Sequence, residues 1–240
     1  MQSTGRDVVL LLALASTGLV GFNVFLVEAT RHASPAMIGS VVGAVPIVLA
    51  IAGPMMQRSR PAARVIVAAA VVAAGTVVSA GLGGASAYGV VLSVGALVCE
   101  VAFSLLALPL LPKLGALRVA AYPAALAVPM LLIASLLGEG PGALWLPTLP
   151  EAAAFIYLGA LVTAVAFFLW YDALRRLGPD RAGLFAGLVP VGALLTTAVL
   201  GLGEVRLAHI VGALLVAAGV VIGMQRSEQR MPVGGPPTSR

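Results

Sequence analysis

Residues 29–77 of this chain recur, without a gap, 144 positions further on. Ala29, Arg31 and Pro35 return as Ala173, Arg175 and Pro179. Gly39, Gly43, Val45 and Pro46 return as Gly183, Gly187, Val189 and Pro190. Ile66, Val67, Val72, Ala73, Ala74, Gly75 and Val77 return as Ile210, Val211, Val216, Ala217, Ala218, Gly219 and Val221. An ungapped internal repeat of this length means two copies of one structural unit, so any acceptable fold has to accommodate both.

The medium in which the copies fold follows from hydropathy. The chain is 60% hydrophobic and 10% charged, with mean hydropathy +1.08, far too little charge for the surface of a soluble domain. The apolar residues lie in uncharged blocks of about 20 residues, the length of helix that crosses ~30 Å of hydrocarbon. A membrane-spanning backbone has to satisfy its own hydrogen bonds as helices or as a closed barrel, and continuous apolar runs exclude the short alternating segments of a barrel. The reading is an all-α, polytopic helical membrane protein. Its eight predicted spans cover 8–29, 36–56, 63–84, 88–111, 117–138, 152–174, 182–202 and 207–225.

Spans 1–3 correspond to spans 6–8, so the copies start five helices apart. An odd number of crossings makes them face opposite ways, an arrangement typical of secondary transporters. The predicted organisation is a three-helix first repeat over 1–85, a five-helix second repeat over 86–226, and a disordered cytoplasmic tail over 227–240, where Gly and Pro cluster. A complete pair would be five helices plus five. The first two helices of the first repeat are therefore expected to be missing, through a start placed too far downstream or a natural short form.

Basic residues give the orientation. With eight spans, Arg6, Arg58, Arg60, Arg64, Lys113, Arg118, Arg175, Arg176, Arg181, Arg226, Arg230 and Arg240 all fall on one side. Only Arg31 and Arg206 fall on the other. This asymmetry puts both termini in the cytoplasm, in the cell membrane (plasma or inner). The net charge of +5 therefore reflects topology and not nucleic-acid binding. Expected partners are a small-molecule substrate and the lipid bilayer, with room for a homodimer.

Glu100 is the one ionisable residue near the middle of a span. A carboxyl group there costs ~2.5–3.5 kcal/mol on insertion scales, and such residues usually face a cavity. Ser93, Glu100 and Ser104 share a helix face at i, i+7 and i+11, and a carboxyl in that setting is a candidate proton carrier. Ser16 and Asn23, seven apart on span 1, form a second polar face. Pro46 and Pro190, inside spans 2 and 7, each remove a backbone bond at matched positions and are read as hinges or cavity lining. Gly39–Gly43 and Gly183–Gly187 are small-xxx-small pairs for close helix packing. Trp145, Trp170 and Tyr171, near span ends, are read as interfacial belt residues. His32 and His209 lack ligand spacing and Cys99 is alone, so neither a metal site nor a disulfide is expected. No phosphate loop, Gly-x-Ser-x-Gly elbow or His-Glu-x-x-His occurs, and no cofactor or catalytic residue is expected.

The stretch Tyr171-Asp172-Ala173-Leu174-Arg175-Arg176-Leu177-Gly178-Pro179-Asp180-Arg181-Ala182 resembles the join between the third and fourth helices of an EamA-type repeat. Val189-Pro190-Val191, Gly201-Leu202-Gly203-Glu204 and Ile210-Val211-Gly212-Ala213 through Gly219 continue that pattern in order. The likeness covers about 150–225 well and 29–80 as a degenerate copy, in which Ser59 and Arg60 stand where the second repeat has Gly203-Glu204. EamA-type proteins belong to the drug/metabolite transporter superfamily. The resemblance implies ten helices in two inverted repeats, a central cavity walled by both, and export or import of small polar metabolites by exchange or with a proton. The expected function is a secondary transporter of a metabolite or drug working by alternating access. The alternative is a non-transporting or truncated member that needs a partner to complete the pathway. Catalysis is not expected, since one carboxylate without a second acid or base is poor equipment for it.

Overall fold

The computed structural model describes residues 5–81, 84–140, 146–200 and 206–225. Among these residues the secondary structure is helical, apart from one isolated bridge between Ala33 and Ala85. Span 1 is α1 (Gly5–Leu14), a π-helical stretch Ala15–Gly21, and α2 (Phe22–Ala29). Span 2 is α3 (Pro35–Val42) followed by α4 (Val45–Met56). Spans 3, 4 and 5 are α5 (Ala63–Ala80), α6 (Ala87–Ala107) and α7 (Leu111–Glu139). Span 6 is α8 (Leu149–Ile156), a π-helical stretch Tyr157–Val165, and α9 (Ala166–Leu177). Span 7 is α10 (Pro179–Ala186) and α11 (Val189–Leu200), and span 8 is α12 (Leu207–Met224). The predicted tail at 227–240 lies outside the described residues, as do Trp145 and the Gly203-Glu204 motif.

Seven of these spans are long and apolar enough to cross a membrane as helices. The eighth predicted span, α10–α11, is interrupted at Gly187-Leu188. Span 2 is interrupted at the matching Gly43-Ala44. The repeat offset reappears in the element bounds, since shifting α3, α4 and α5 by 144 residues reproduces α10, α11 and α12 end for end. The π stretch of span 1, so shifted, falls inside that of span 6.

The two copies meet where α5 crosses α12. A Cβ placed on Gly75 would come within 2.7 Å of the Gly212 carbonyl oxygen, and one on Gly219 within 2.8 Å of the Ala68 carbonyl oxygen. Gly219 is the repeat mate of Gly75, and Gly212 that of Ala68. The two contacts are therefore one contact seen from each copy. Going up α5 from Ala68 to Gly75, the neighbours on α12 go down from Gly219 to Gly212, so the equivalent helices run antiparallel. Lipid tails are as apolar as leucine, so the hydrophobic effect does little to hold spans together. Close packing does that work, and glycine lets two backbones touch.

The basic segments gather at one end of the bundle. Lys113 Nζ pairs with the buried Asp7 carboxylate at 2.8 Å, and Arg64 hydrogen-bonds Gln225. Just inside, Leu14, Leu110, Tyr171, Leu174 and Ala182 form a core that joins spans 1, 4, 5, 6 and 7. At the opposite end the loops around 30–34 and 81–86 are tied together. Ser34 N–H donates to the Gly84 carbonyl at 2.9 Å, Ser86 N–H to the His32 carbonyl at 3.0 Å, and Ser40 Oγ to the Gly81 carbonyl at 2.9 Å.

Candidate functional site

The middle of the bundle is built around α6, which packs against α1, α2, α3, α4 and α9. That central position places Glu100 where two cavities meet. The larger, of about 490 Å³, is lined by Gly18, Phe22, Asn23, Phe103, Thr163, Phe167, Trp170 and Phe185 among others. The smaller, of about 300 Å³, runs past Gly43, Pro46 and Thr76 to Gly39 and Ala80, toward the end opposite the basic segments. Glu100, Phe22, Ala186 and Val189 border both. The Glu100 Oε2 atom is shielded and has no hydrogen-bond partner among the described residues. In apolar surroundings an unpartnered carboxyl oxygen is costly and calls for an explanation.

The walls follow from local sequence. Span 1 widens into a π turn between residues whose side chains bond back to their own helix. Ser16 donates to the Leu12 carbonyl at 2.8 Å, Thr17 to Ala13 at 2.8 Å and Asn23 to Leu19 at 2.7 Å. Such back-bonding bends helices, and π turns concentrate at functional sites. Gly18 lies in the widened turn because the Phe103 ring fills the space its side chain would need. Phe103 in turn stacks against Phe167, with ring centroids 4.9 Å apart, and against Tyr171 at 5.2 Å. The indole of Trp170 donates from Nε1 to Ser104 Oγ at 3.2 Å, while that hydroxyl donates to the Glu100 carbonyl at 3.2 Å. Ser104 thus fixes the angle of the indole beside the cavity.

The structure brings Glu100, Asn23 and Pro46 to the cavity lining. Ser104 sits behind it, fully buried, as the acceptor for Trp170. Ser93 is fully buried, bonded to the Gly89 carbonyl at 2.8 Å, and borders neither cavity. Ser16 also stands apart from both. Pro46 is not inside a continuous helix. It occupies the first turn of α4, two residues past the break at Gly43-Ala44, where a missing N–H costs nothing. Pro190 holds the matching place at the start of α11, and its side chain lies outside the described residues.

Two interfacial assignments are corrected. Trp170 lines the larger cavity, and Tyr171 is fully buried in the core at the basic end. Both lie a turn or two inside the end of α9, deeper than the sequence placed them. The aromatic wall of Phe22, Phe103, Phe167, Trp170 and Phe185 was not foreseen. Its signal was available in part, since Thr163, Ala166, Phe167 and Trp170 fall at i, i+3, i+4 and i+7 on one face. Apolar periodicity alone does not tell a face turned to lipid from one turned to a cavity.

A model of the EamA-like transporter family matches residues 87–224. An uncharacterized transporter of Bacillus subtilis (strain 168), YetK, is 22% identical over 233 residues, spanning 94% of this chain and 71% of that protein. A crystal structure of a protein with 22% sequence identity superposes with TM-score 0.76, covering 89% of this chain and 75% of that one, and shares the fold.

Proposed function

The chain belongs to the EamA-like transporter family, and we propose that it moves a small metabolite or drug across the cell membrane by alternating access, with Glu100 carrying a coupled proton and both termini cytoplasmic. One observation carries the reading: the two ends of the repeat pair are packed differently. At the basic end α4 and α10 are in close contact, so that a Cβ on Gly53 would reach Pro179 Cγ at 2.5 Å and one on Gly183 would reach Leu49 Cβ at 3.0 Å. The mates of α4 and α10 are α11 and α3. Among the described residues no comparably extensive contact joins these two, and the smaller cavity, bordered by Gly39, Val42 and Val189, lies between them. Related helix pairs, one closed and one parted, are what a carrier shows when its midplane site faces one side. Exchanging the conformations of the two copies parts α4 from α10, closes α3 on α11, and turns the cavity to the basic side.

Paired cysteines test this without knowledge of the substrate. In a Cys99→Ala background, Leu49→Cys with Gly183→Cys is expected to form a disulfide that traps the state described. The repeat-related pair, Gly39→Cys with Ala193→Cys, is expected to form one only when the other state is visited. If the second pair never crosslinks in lipid while the first does, the exchange is wrong.

A further inference from the structure

We infer that the cavity beside Glu100 takes an organic monocation bearing an aromatic or bulky apolar group. This rests on the transport reading of that cavity and names the class of its cargo. Three features of the lining point the same way. Among the described residues it offers one carboxyl group, and no Arg, Lys or His borders either cavity. Five aromatic side chains, Phe22, Phe103, Phe167, Trp170 and Phe185, surround the space on the larger side. Aromatic rings present a negative face to a cation, and the effect grows where water is excluded. The remaining polar groups among the described lining residues are few: Asn23 and Thr163 in the larger cavity and Thr76 in the smaller. Of these, Thr76 spends its donor, and Asn23 one of its two N–H groups, on their own helices.

The competing ligand is a zwitterion or anion held by the start of a half-helix. Here that start is poorly equipped. In the first turn of α4, Pro46 has no N–H, while Ile47 and Val48 N–H both donate to the Ala44 carbonyl, at 3.0 and 3.2 Å. Pro190 removes the matching donor in α11. A carboxylate entering this cavity therefore meets Glu100 and ring faces, both of which repel it, and no cation to offset them. A neutral apolar molecule leaves the shielded Glu100 oxygen without a partner. A volume of about 490 Å³ is in the range of pockets that enclose small organic molecules.

The test is calorimetric titration of the full chain in lipid nanodiscs with four probes of one shape class: benzyltrimethylammonium, benzyl alcohol, phenylalanine and 3-phenylpropionate. The cation is expected to bind at least tenfold more tightly than the other three. Glu100→Gln is expected to weaken it tenfold or more. Trp170→Leu is expected to weaken it roughly two- to thirtyfold, and Trp170→Phe, which keeps a ring, to restore most of that loss. Circular dichroism of each variant confirms that the bundle is intact, and the Trp170→Phe arm carries the test if Trp170→Leu fails to fold. Equal or tighter binding of phenylalanine, benzyl alcohol or 3-phenylpropionate overturns the assignment, as does unchanged cation binding by Glu100→Gln. The cysteine-pair experiment needs no ligand, so a failed cargo class and a failed transport mechanism give separate results.

Discussion

Replacing Gly75 by alanine tests whether the two copies really meet backbone to backbone. The new Cβ would lie 2.7 Å from the Gly212 carbonyl oxygen, 2.8 Å from the Val216 nitrogen and 2.9 Å from Leu215 Cβ. Ordinary van der Waals contact begins at 3.4 Å, so α12 has to retreat by roughly 0.7 Å. Two of the obstructing atoms are main chain and cannot swing aside as the tip of a side chain can. The whole helix moves, and the contact around Gly219 loosens with it. Overpacking of this kind costs about 1–3 kcal/mol. Alanine returns about 1 kcal/mol of helix propensity. With main-chain atoms in the way the cost lies in the upper part of that range, about 2–3 kcal/mol, so the net expectation is a loss of about 1–2 kcal/mol. Gly39 is the control. Its new Cβ would meet only Ala80 Cβ, at 3.8 Å, so Gly39→Ala is expected to be neutral or to gain up to about 1 kcal/mol. Gly75→Ala and Gly219→Ala together are expected to cost less than their sum, because one separation of the helices relieves both. Reversible unfolding in mixed micelles, titrated with dodecyl sulfate and followed by circular dichroism, gives all four values. A Gly75→Ala protein as stable as the parent, or a Gly39→Ala protein as damaged as Gly75→Ala, refutes the crossing.

Glu100→Gln is expected to abolish uptake driven by a pH gradient in liposomes, and unchanged uptake would remove the proton role. Ser104→Ala takes away the acceptor of the Trp170 indole, so it is expected to cost about 1 kcal/mol. In a Trp145→Phe background it should also lower Trp170 fluorescence anisotropy, whereas an unaltered anisotropy means that the bond does not hold the ring. Cysteines placed at Arg58 and Arg175 in a Cys99→Ala protein are expected to react with an impermeant thiol reagent from the same, cytoplasmic, face. Reaction from opposite faces would overturn the predicted orientation.

The repeat was the most legible part of the chain, because gapless copying preserves both packing faces and helix ends. Shifted bounds that agree to the residue in three helices show how much Gly39, Gly43, Pro46, Gly75 and their mates constrain. Glu100 was legible for a different reason: a carboxyl inside an apolar block has few roles other than lining a cavity. The serine face was misleading. Ser93 and Ser104 share a helical stripe with Glu100, yet α6 is enclosed on several sides, so one stripe meets loops near His32 at one height and Trp170 at another. The aromatic wall was obscured because phenylalanine and tryptophan satisfy the same apolar pattern whether they face lipid, core or cavity. The sequence places the hinges of spans 2 and 7 at Pro46 and Pro190, whereas the helices break at Gly43-Ala44 and Gly187-Leu188. Proline suits the first turn of a new helix better than the middle of an old one, so the interruption falls just before it.

The crossing of α5 and α12 has a property that no other helix pair described here shares: exchanging the copies maps it onto itself. If the copies exchange conformations as proposed, whatever free energy it holds is the same whether the cavity faces inward or outward, so it cancels from the balance between the two. The crossing can therefore act as a stationary spindle. Substitutions there should make the protein easier or harder to unfold without favouring either side of the membrane. Substitutions between α4 and α10, by contrast, should tilt that balance directly.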